Sequence, residues 1–381
     1  MRTRFLPSIA LALAPFVASA APLGPPVNVT AGPPAAVQQL PFLTLTAKTP
    51  FLVFNVDTTR GGLMVNGQPL AHPVALDTTI LRDGGAASIG EQSFGVWLQG
   101  DWMYGQRFDL AGNMTGSPTY IAMVDSRHTM RLGVGASVDR YLVAWAVSSR
   151  VVGAIVDMNG HVLDSNNAEL TAGTYGRNVE AVKVASIGDE FLLVWEATGD
   201  EPWSTPCTLA CPSDDREVHA VVVDKTGTPI KSTETLLAHA AGEPDVVSNG
   251  IDDYFVVWTN VAGTISGVHL SRGAATVGSV KQLVASQGYG PRIAWDGSAY
   301  DLAYADASDS QALRAVRLNA ADEIADVIGT PVLHQGVWPR QFAIVGQDGT
   351  IAVTYVDGTR LVLASGNATI PVTRTRAVRH H

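Results

Sequence analysis

Arginine, histidine, aromatic and acidic side chains precede several short apolar segments of the chain. Arginine binds carboxylates through paired hydrogen bonds, while tyrosine and tryptophan stack on apolar faces and hydrogen-bond through their polar atoms. This mixture suits a polar ligand such as a sugar, a peptide or an anion. The alternative is that these are solvated loop residues that pair with one another. The candidate ligand-binding residues are Arg82, Arg127, His128, Tyr175, Arg177, Trp203, Glu243, Asp245, Tyr289, Arg292, Trp338 and Arg340.

The two cysteines of the chain, Cys207 and Cys211, share a long segment at residues 196–217 with Trp203. In an exported protein we expect the two thiols to form a disulfide that closes a small loop. A metal site would need two more ligands, and only His219 is near in sequence, so we expect no metal. Free thiols are the remaining alternative. A long, stapled loop that carries a tryptophan is a candidate for binding.

Known catalytic spacings are absent from the sequence. It contains no H-E-x-x-H, no G-x-S-x-G, no Walker A motif and no complete G-x-G-x-x-G. We therefore assign no catalytic residue and no cofactor, and a role without catalysis is favoured. Two carboxylates from different parts of the chain could still meet and act together as in a glycoside hydrolase, so a hydrolase remains an alternative.

The first 20 residues have the pattern of an export signal. Arg2 and Arg4 precede an apolar stretch at residues 5–17, which is too short to span a bilayer, and residues 18–20 match a cleavage site. We expect cleavage after Ala20 and a secreted or periplasmic chain with no membrane span. Loss of the two arginines leaves 23 basic residues against 35 acidic ones. Such a charge gives no general attraction to nucleic acid.

Three sequence signatures return in the same order along the chain. The clearest is an apolar strand that ends on an aromatic anchor. The second lies several positions after each anchor and consists of a small residue, two variable residues, an apolar residue and then Asp, Asn or Ser. The third signature is a strand that precedes each anchor and often begins with proline. The anchors are 43 to 63 residues apart, and units of four short strands at this period predict a β-propeller. The anchors are Phe54, Trp97, Trp145, Trp195, Trp258, Tyr304 and Tyr355.

These units resemble the repeats of secreted bacterial β-propeller proteins, with the layout P-x-Φ-A-x-D/N-G, Y-L-V-x-W and G-x-x-V-D-x-x-G and an order similar to the TolB type. The resemblance covers about residues 36–375 and implies an all-β, seven-bladed β-propeller, with six or eight blades as alternatives. It implies that the proline-led strand is innermost and that the anchors pack between blades. It also places the candidate ligand-binding residues around the central channel, on the face that carries the long loop. Two β-sandwiches are the competing fold.

The predicted organisation follows these units. A signal peptide (1–20) and a flexible tether (21–35) precede the propeller, and a frayed tail (376–381) follows it. Residues 27–30 or 369–373 could supply the strand that closes the ring, and we expect the C-terminal segment to do so. The predicted blades are 36–80, 81–124, 125–172, 173–238, 239–286, 287–334 and 335–375.

The combined features predict an exported, monomeric binding module for a polar glycan or peptide, or for a partner protein. The alternatives are a carbohydrate-active hydrolase or lyase with carboxylates over the channel, and a surface scaffold or adhesin. A closed pocket with two carboxyl groups about 5–9.5 Å apart would favour hydrolysis. An open channel with an exposed aromatic patch around Trp203 would favour binding.

Overall fold

The computed structural model describes residues 27–28, 37–46, 49–56, 59–64, 81–99, 101–109, 113–124, 132–163, 168–171, 177–199, 215–285, 287–327, 342–347, 350–357 and 360–367. Before Gly84 and after Tyr355 it describes the backbone alone. Within these ranges the regular elements are β-strands and two single 3₁₀ turns, Lys231–Thr233 and Ala307–Asp309. No helix in the described ranges has the length and apolar character needed to cross a membrane.

The strands form seven antiparallel sheets, or blades. Strand β1 (Val27–Asn28) comes first along the chain, and blade one contains β2 (Val37–Thr46), β3 (Thr49–Val56) and β4 (Thr59–Met64). Blade two contains β5 (Leu81–Ile89), β6 (Gln92–Gln99), β7 (Trp102–Phe108) and β8 (Met114–Met123). Blade three contains β9 (Gly133–Ala136), β10 (Arg140–Val147), β11 (Arg150–Asp157) and β12 (Ala168–Glu169). Blade four contains β13 (Asn178–Ile187), β14 (Glu190–Thr198), β15 (Glu217–Asp224) and β16 (Thr235–His239).

The remaining three blades continue the pattern. Blade five contains β17 (Ala241–Ser248), β18 (Asp253–Asn260), β19 (Ile265–Ser271) and β20 (Thr276–Val284). Blade six contains β21 (Gly288–Trp295), β22 (Tyr300–Asp306), β23 (Ala312–Leu318) and β24 (Ile324–Val327). Blade seven contains β25 (Phe342–Gln347), β26 (Thr350–Asp357) and β27 (Arg360–Asn367), with β1 at its outer edge.

The first strands of the blades contact one another in sequence around a closed circle. Strand β2 contacts β5, and the contacts continue through β9, β13, β17 and β21 to β25, which contacts β2 again. Seven sheets arranged around a ring of inner strands are a seven-bladed β-propeller. The prediction of an all-β propeller is confirmed, and the proline-led strands β17 and β21 lie in the inner ring.

Ring closure differs from our expectation. Strand β1 pairs with β27, with Val27 opposite Leu363 and Asn28 opposite Val362. The N-terminal segment, inside the range predicted as a tether, therefore takes the outer place that we expected residues 369–373 to fill. Residues 369–373 lie outside the described ranges. Pairing of these two segments in one sheet covers part of the edge of β27, where backbone groups would otherwise be unpaired.

The core lies in layers between neighbouring blades. Phe94 of blade two and Tyr141 of blade three stack with ring centroids 5.0 Å apart. Since each blade has a neighbour on either side, both faces of its second strand are buried, and the six residues from Tyr141 to Ala146 are all buried. This explains why the second strands are apolar runs rather than alternating patterns. The anchors Trp97, Trp145, Trp195, Trp258, Tyr304 and Tyr355 are buried in these layers.

The small residue after each anchor has a packing role. At Gly267, an added Cβ would lie 2.7 Å from Cε2 of Phe255 and 3.1 Å from Cδ1 of Leu283. We expect Gly267→Ala to lower the free energy of unfolding by about 1–2 kcal/mol, because a close-packed core accepts extra volume only by strain. Urea unfolding measures this. Val280→Ala, at a half-exposed position of the same blade, should change stability by about 0.5 kcal/mol or less.

Candidate functional site

The meander of each blade brings three chain positions to one face of the propeller. The start of the first strand, the end of the second and the start of the third meet there, because successive strands are antiparallel. We call this the loop-rich face. In blade four it includes Arg177, just before β13, the end of β14 and the start of β15, while residues 200–214 of the predicted long loop lie outside the described ranges.

A buried ion pair forms the base of this region. Glu196, at the end of β14, is 1% exposed, and its Oε1 lies 3.1 Å from Nη1 of Arg216. Its other oxygen, Oε2, accepts a 2.7 Å hydrogen bond from the backbone N–H of Glu243 in blade five. A Cβ at Gly242 would lie 2.9 Å from Glu196 Oε1, so glycine allows the two blades to approach. One carboxylate thus ties blade four to blade five.

The backbone at Glu243 is strained where it meets this carboxylate. Its φ is +54°, a left-handed value that non-glycine residues rarely adopt, and the β17–β18 register shifts between Gly242 and Asp245. Such a conformation persists only when its surroundings hold it, and strained residues concentrate at functional sites. Here the bond from the Glu243 N–H to Glu196 contributes to holding it.

A second carboxylate gathers three cationic or potentially cationic groups. Glu217, at the start of β15, has its Oε1 3.4 Å from Nη2 of Arg177 and 3.1 Å from Nδ1 of His239. Its Oε2 lies 3.0 Å from Nε2 of His219, whose ring stacks on Trp195 at 5.3 Å. The guanidinium of Arg177 also donates to the carbonyl of Asp215. We call Arg177, Glu217, His219 and His239 the Glu217 cluster.

Charged side chains occupy equivalent positions on three consecutive inner strands. Lys183, Asp245 and Arg292 each pair with the residue just before an anchor aromatic. Each of them contacts the next blade. Lys183 Nζ lies 3.7 Å from Asp245 Oδ1, Asp245 Oδ2 accepts a 3.0 Å bond from the N–H of Ile293, and the Arg292 guanidinium lies 5.9 Å from the centre of the Phe342 ring. The same position holds Gly85, Gly133 and Ala343 in blades two, three and seven.

The centre of the propeller contains a cavity of about 410 Å³. Small and apolar side chains of six inner strands line most of it, and Asp245 is the one carboxylate among its described lining residues. Ser248 Oγ donates to the Ser186 carbonyl at 2.6 Å, and Ser186 Oγ donates to the Ala136 carbonyl. These bonds link the inner strands of blades three, four and five below the charged residues.

The structure brings only some of the predicted ligand-binding residues together. Arg177, Glu243 and Asp245 lie near the junction of blades four and five. Tyr289 lies against the loop of blade five, since a Cβ at Gly263 would be 2.6 Å from its hydroxyl. Arg82 is described by its backbone alone, in β5. Outside the described residues lie Arg127, His128, Tyr175, Trp203, Trp338, Arg340 and the predicted disulfide of Cys207 and Cys211.

The sequence reasoning missed the two central carboxylates, Glu196 and Glu217. A signal was present for the first of them. Glu196 follows the Trp195 anchor directly, at a position that holds Ala146, Thr259 and Ala305 in other blades. A charged residue among small ones at an equivalent buried position indicates a special contact.

Comparison with known proteins supports the fold and no narrower assignment. Neither a protein-family model nor a curated protein sequence matches the chain. A hydrazine synthase structure from Kuenenia stuttgartiensis superimposes with a TM-score of 0.55 and 12% identity, over 88% of this chain and 97% of that one. A prolyl endopeptidase structure superimposes with a TM-score of 0.50 and 14% identity, over 86% of this chain. This chain covers 47% of the prolyl endopeptidase, about half its length. At such identities the likeness concerns the fold, and the chain is a β-propeller module.

Proposed function

We propose that this β-propeller is an exported binding module that holds a polar glycan or peptide at the Glu217 cluster. The observation that carries the proposal is the arrangement of that cluster. His239 is 71% exposed and Arg177 is 31% exposed, so both present polar side chains to solvent while Glu217 orients them. Polar side chains held in place by a carboxylate lose little freedom when they bind a ligand, which favours affinity.

The base of the cluster supports this preorganisation. Arg216 and Glu217 are neighbours in the chain, and Arg216 is fixed by the buried Glu196 carboxylate. His219 is fixed by stacking on Trp195, whose side chain is fully buried. The exposed groups therefore rest on side chains that the core holds in position. A site on such a base is more precise than one on a loop alone.

The surroundings of the carboxylates favour binding over hydrolysis. Glycoside hydrolysis by the two-carboxylate route needs one carboxyl group that donates a proton and one that acts as base or nucleophile. Glu196, Glu217 and Asp245 are each engaged by a basic side chain, and two of them also accept a backbone N–H. These three carboxylates therefore connect neighbouring blades or orient the Glu217 cluster. A hydrolase would need carboxylates other than these three. The test therefore also measures whether a bound glycan is cleaved.

The proposal is tested by screening glycan and peptide arrays with the chain that begins at Ala21, and by titrating each hit. We expect Arg177→Ala and His239→Ala to weaken binding about tenfold or more, a loss of about 1.4 kcal/mol each. Arg272→Ala is the matched control, because Arg272 forms an exposed ion pair with Asp189 at 2.6 Å on the opposite face. It should leave affinity unchanged.

Three results would contradict the proposal. They are the absence of any hit, equal affinity in the Arg177 variant, and release of cleaved product from a bound glycan. The intact mass of the exported chain tests the localisation separately, since retention of residues 1–20 would contradict cleavage after Ala20.

A further inference from the structure

The outer rim of blade two carries an exposed aromatic patch. Trp102 and Tyr120 are each 47% exposed, and they are the two aromatic side chains among the exposed large apolar residues of the described ranges. Their ring centroids are 5.6 Å apart, with the planes tilted by 60°. Met123, which is 64% exposed, lies opposite Trp102 in the β7–β8 pair. We call Trp102, Tyr104, Tyr120 and Met123 the rim patch.

The rim patch is anchored in the core. Tyr104 lies opposite Tyr120 in the strand pair, with ring centroids 6.2 Å apart. Tyr104 also stacks at 6.2 Å on Trp97, the buried anchor of blade two. A chain of aromatic contacts therefore runs from the core to Tyr120 and Trp102 at the surface. Rigid aromatic side chains bind with a small loss of conformational entropy, which suits them to recognition.

Strand β8 presents side chains rather than a free edge to a partner. It is the outermost strand of its blade, but Pro118 removes one backbone donor from it. The β7–β8 register also shifts twice, between Met103 and Tyr104 and between Gly105 and Arg107. Proline and bulges are the devices by which edge strands avoid pairing with another strand. Addition of an extended peptide to this edge is therefore disfavoured.

The chemistry of β8 indicates what would cover the rim patch. None of its ten residues is charged, although the whole chain has a formal charge of −10. The rim patch itself adds the phenol hydroxyl groups of Tyr104 and Tyr120, which lie opposite each other in the β7–β8 pair. Aromatic rings with phenol hydroxyl groups, beside a strand that has no charged residue, complement a molecule with apolar C–H faces and many hydroxyl groups. That description fits the sugar rings of a neutral glycan.

We propose that the rim patch is a second binding site, specific for a neutral glycan. The C–H face of a pyranose ring packs on the indole of Trp102, where the negative π face meets the weakly positive hydrogens. Tyr120 is tilted against Trp102 and contacts the next sugar or the other edge of the same one. The rim patch belongs to blade two, whereas the Glu217 cluster belongs to blade four, so the two sites are independent.

Calorimetric titration with neutral hexasaccharides of glucose, xylose, mannose and N-acetylglucosamine tests the proposal. We expect the chain from Ala21 to bind at least one of them, and Trp102→Ala to weaken that binding at least tenfold. Tyr120→Ala should weaken it less, and Trp102→Phe should retain most of it because a flat ring remains. The control Val280→Ala, on the outer strand of blade five, should leave it unchanged, and Arg177→Ala is measured beside it to separate this site from the Glu217 cluster.

Several results would overturn the proposal. One is that no neutral hexasaccharide binds, and another is that the Trp102 and Tyr120 variants bind as tightly as the parent. A third is concentration-dependent dimerisation that Trp102→Ala abolishes, because the rim patch would then be an interface between two copies. Thermal unfolding of every variant accompanies the titration, and Met123→Ala, which should also weaken binding, replaces any variant that unfolds early. Loss of glycan binding in Arg177→Ala alone would instead assign the glycan to the Glu217 cluster.

Discussion

Replacement of Arg317 by methionine is expected to lower the free energy of unfolding by about 3–5 kcal/mol, the usual cost of removing one partner from a buried ion pair. Arg317 lies in β23 and is 4% exposed, and its two partners, Asp296 and Asp301, are fully buried. Its Nε lies 3.0 Å from Asp301 Oδ1, and its Nη2 bonds to Asp296. Without the guanidinium, two carboxylates would share a dry layer of blade six.

The pH dependence of this loss provides a sharper test. Burial raises the pKa of Asp301 to about 7, against the opposing effect of its hydrogen bond to Arg317. The folded protein thus holds the proton more tightly than the unfolded chain, whose aspartate pKa is about 3.9. The contribution of Asp301 to stability is therefore complete below about pH 4 and is lost as the pH rises towards 7. In Arg317→Met the deficit should be largest above pH 7 and should shrink towards pH 5, where Asp301 is protonated.

A matched control lies in the same strand. Arg314 is half-buried and pairs with Asp306 at 2.7 Å and with Asp309 at 2.9 Å. Asp306 also accepts bonds from the N–H and hydroxyl of Ser308, so it keeps donors when Arg314 is removed. Arg314→Met should cost about 1 kcal/mol or less. Chemical denaturation of both variants between pH 5 and 8 makes the comparison. A loss below about 1 kcal/mol in Arg317→Met would show that the buried charges are not coupled as the geometry indicates.

The repeat predicted most of the fold because it reflects packing that recurs in every blade. The aromatic anchor, such as Trp258, fills the layer between two blades, and the small residue nine positions later, Gly267, makes room for a neighbouring ring. The choice between the two candidate closing segments was wrong for the opposite reason. A strand of two residues, Val27 and Asn28, is too short to show a period of two, and prolines and glycines surround it in the sequence.

The candidate site was predictable only in part. Arg177, Glu243 and Asp245 could be proposed because they stand at the start of inner strands, whose position the repeat defines. The contacts between them join residues far apart in the chain, as in the bond from Glu243 to Glu196, which spans 47 positions. A single sequence records no such pairing. It also gives no sign that Glu217, rather than any other surface glutamate, gathers an arginine and two histidines.

A second large effect is expected at His269, on the face opposite the loop-rich one. Its Nδ1 lies 2.7 Å from Asp253 Oδ2 in its own blade, and its Nε2 lies 3.1 Å from Asp322 Oδ1 in blade six. The ring is half-buried and stacks flat on Phe255 at 4.1 Å. Both nitrogens face carboxylates, and only the protonated imidazole has two N–H donors. The geometry therefore fits a charged histidine that joins two blades.

The neighbouring groups support that charge. Tyr300 donates its hydroxyl to Asp253 Oδ2 at 2.6 Å, and Lys281 Nζ lies 2.7 Å from Asp322 Oδ2. Burial lowers the pKa of His269, but the hydrogen bonds and charges of the two aspartates outweigh it, and the net pKa is raised above its ordinary value. The stabilising contribution is therefore complete below about pH 6.5, the ordinary histidine pKa, and is lost as the pH rises through the higher pKa of the folded protein.

We expect His269→Gln to lower the free energy of unfolding by about 2–3 kcal/mol at pH 6, where two bonds to charged groups are lost. The deficit should shrink as the pH is raised from 6 towards 9, because the parent protein loses its imidazolium as the pH passes the raised pKa of His269. His161→Gln is the control, since His161 pairs with Asp157 at 3.3 Å but its side chain is 74% exposed. That variant should differ little from the parent at either pH. A His269→Gln deficit that stays constant from pH 6 to pH 9 would mean that the ring contributes by packing on Phe255 and not by its charge.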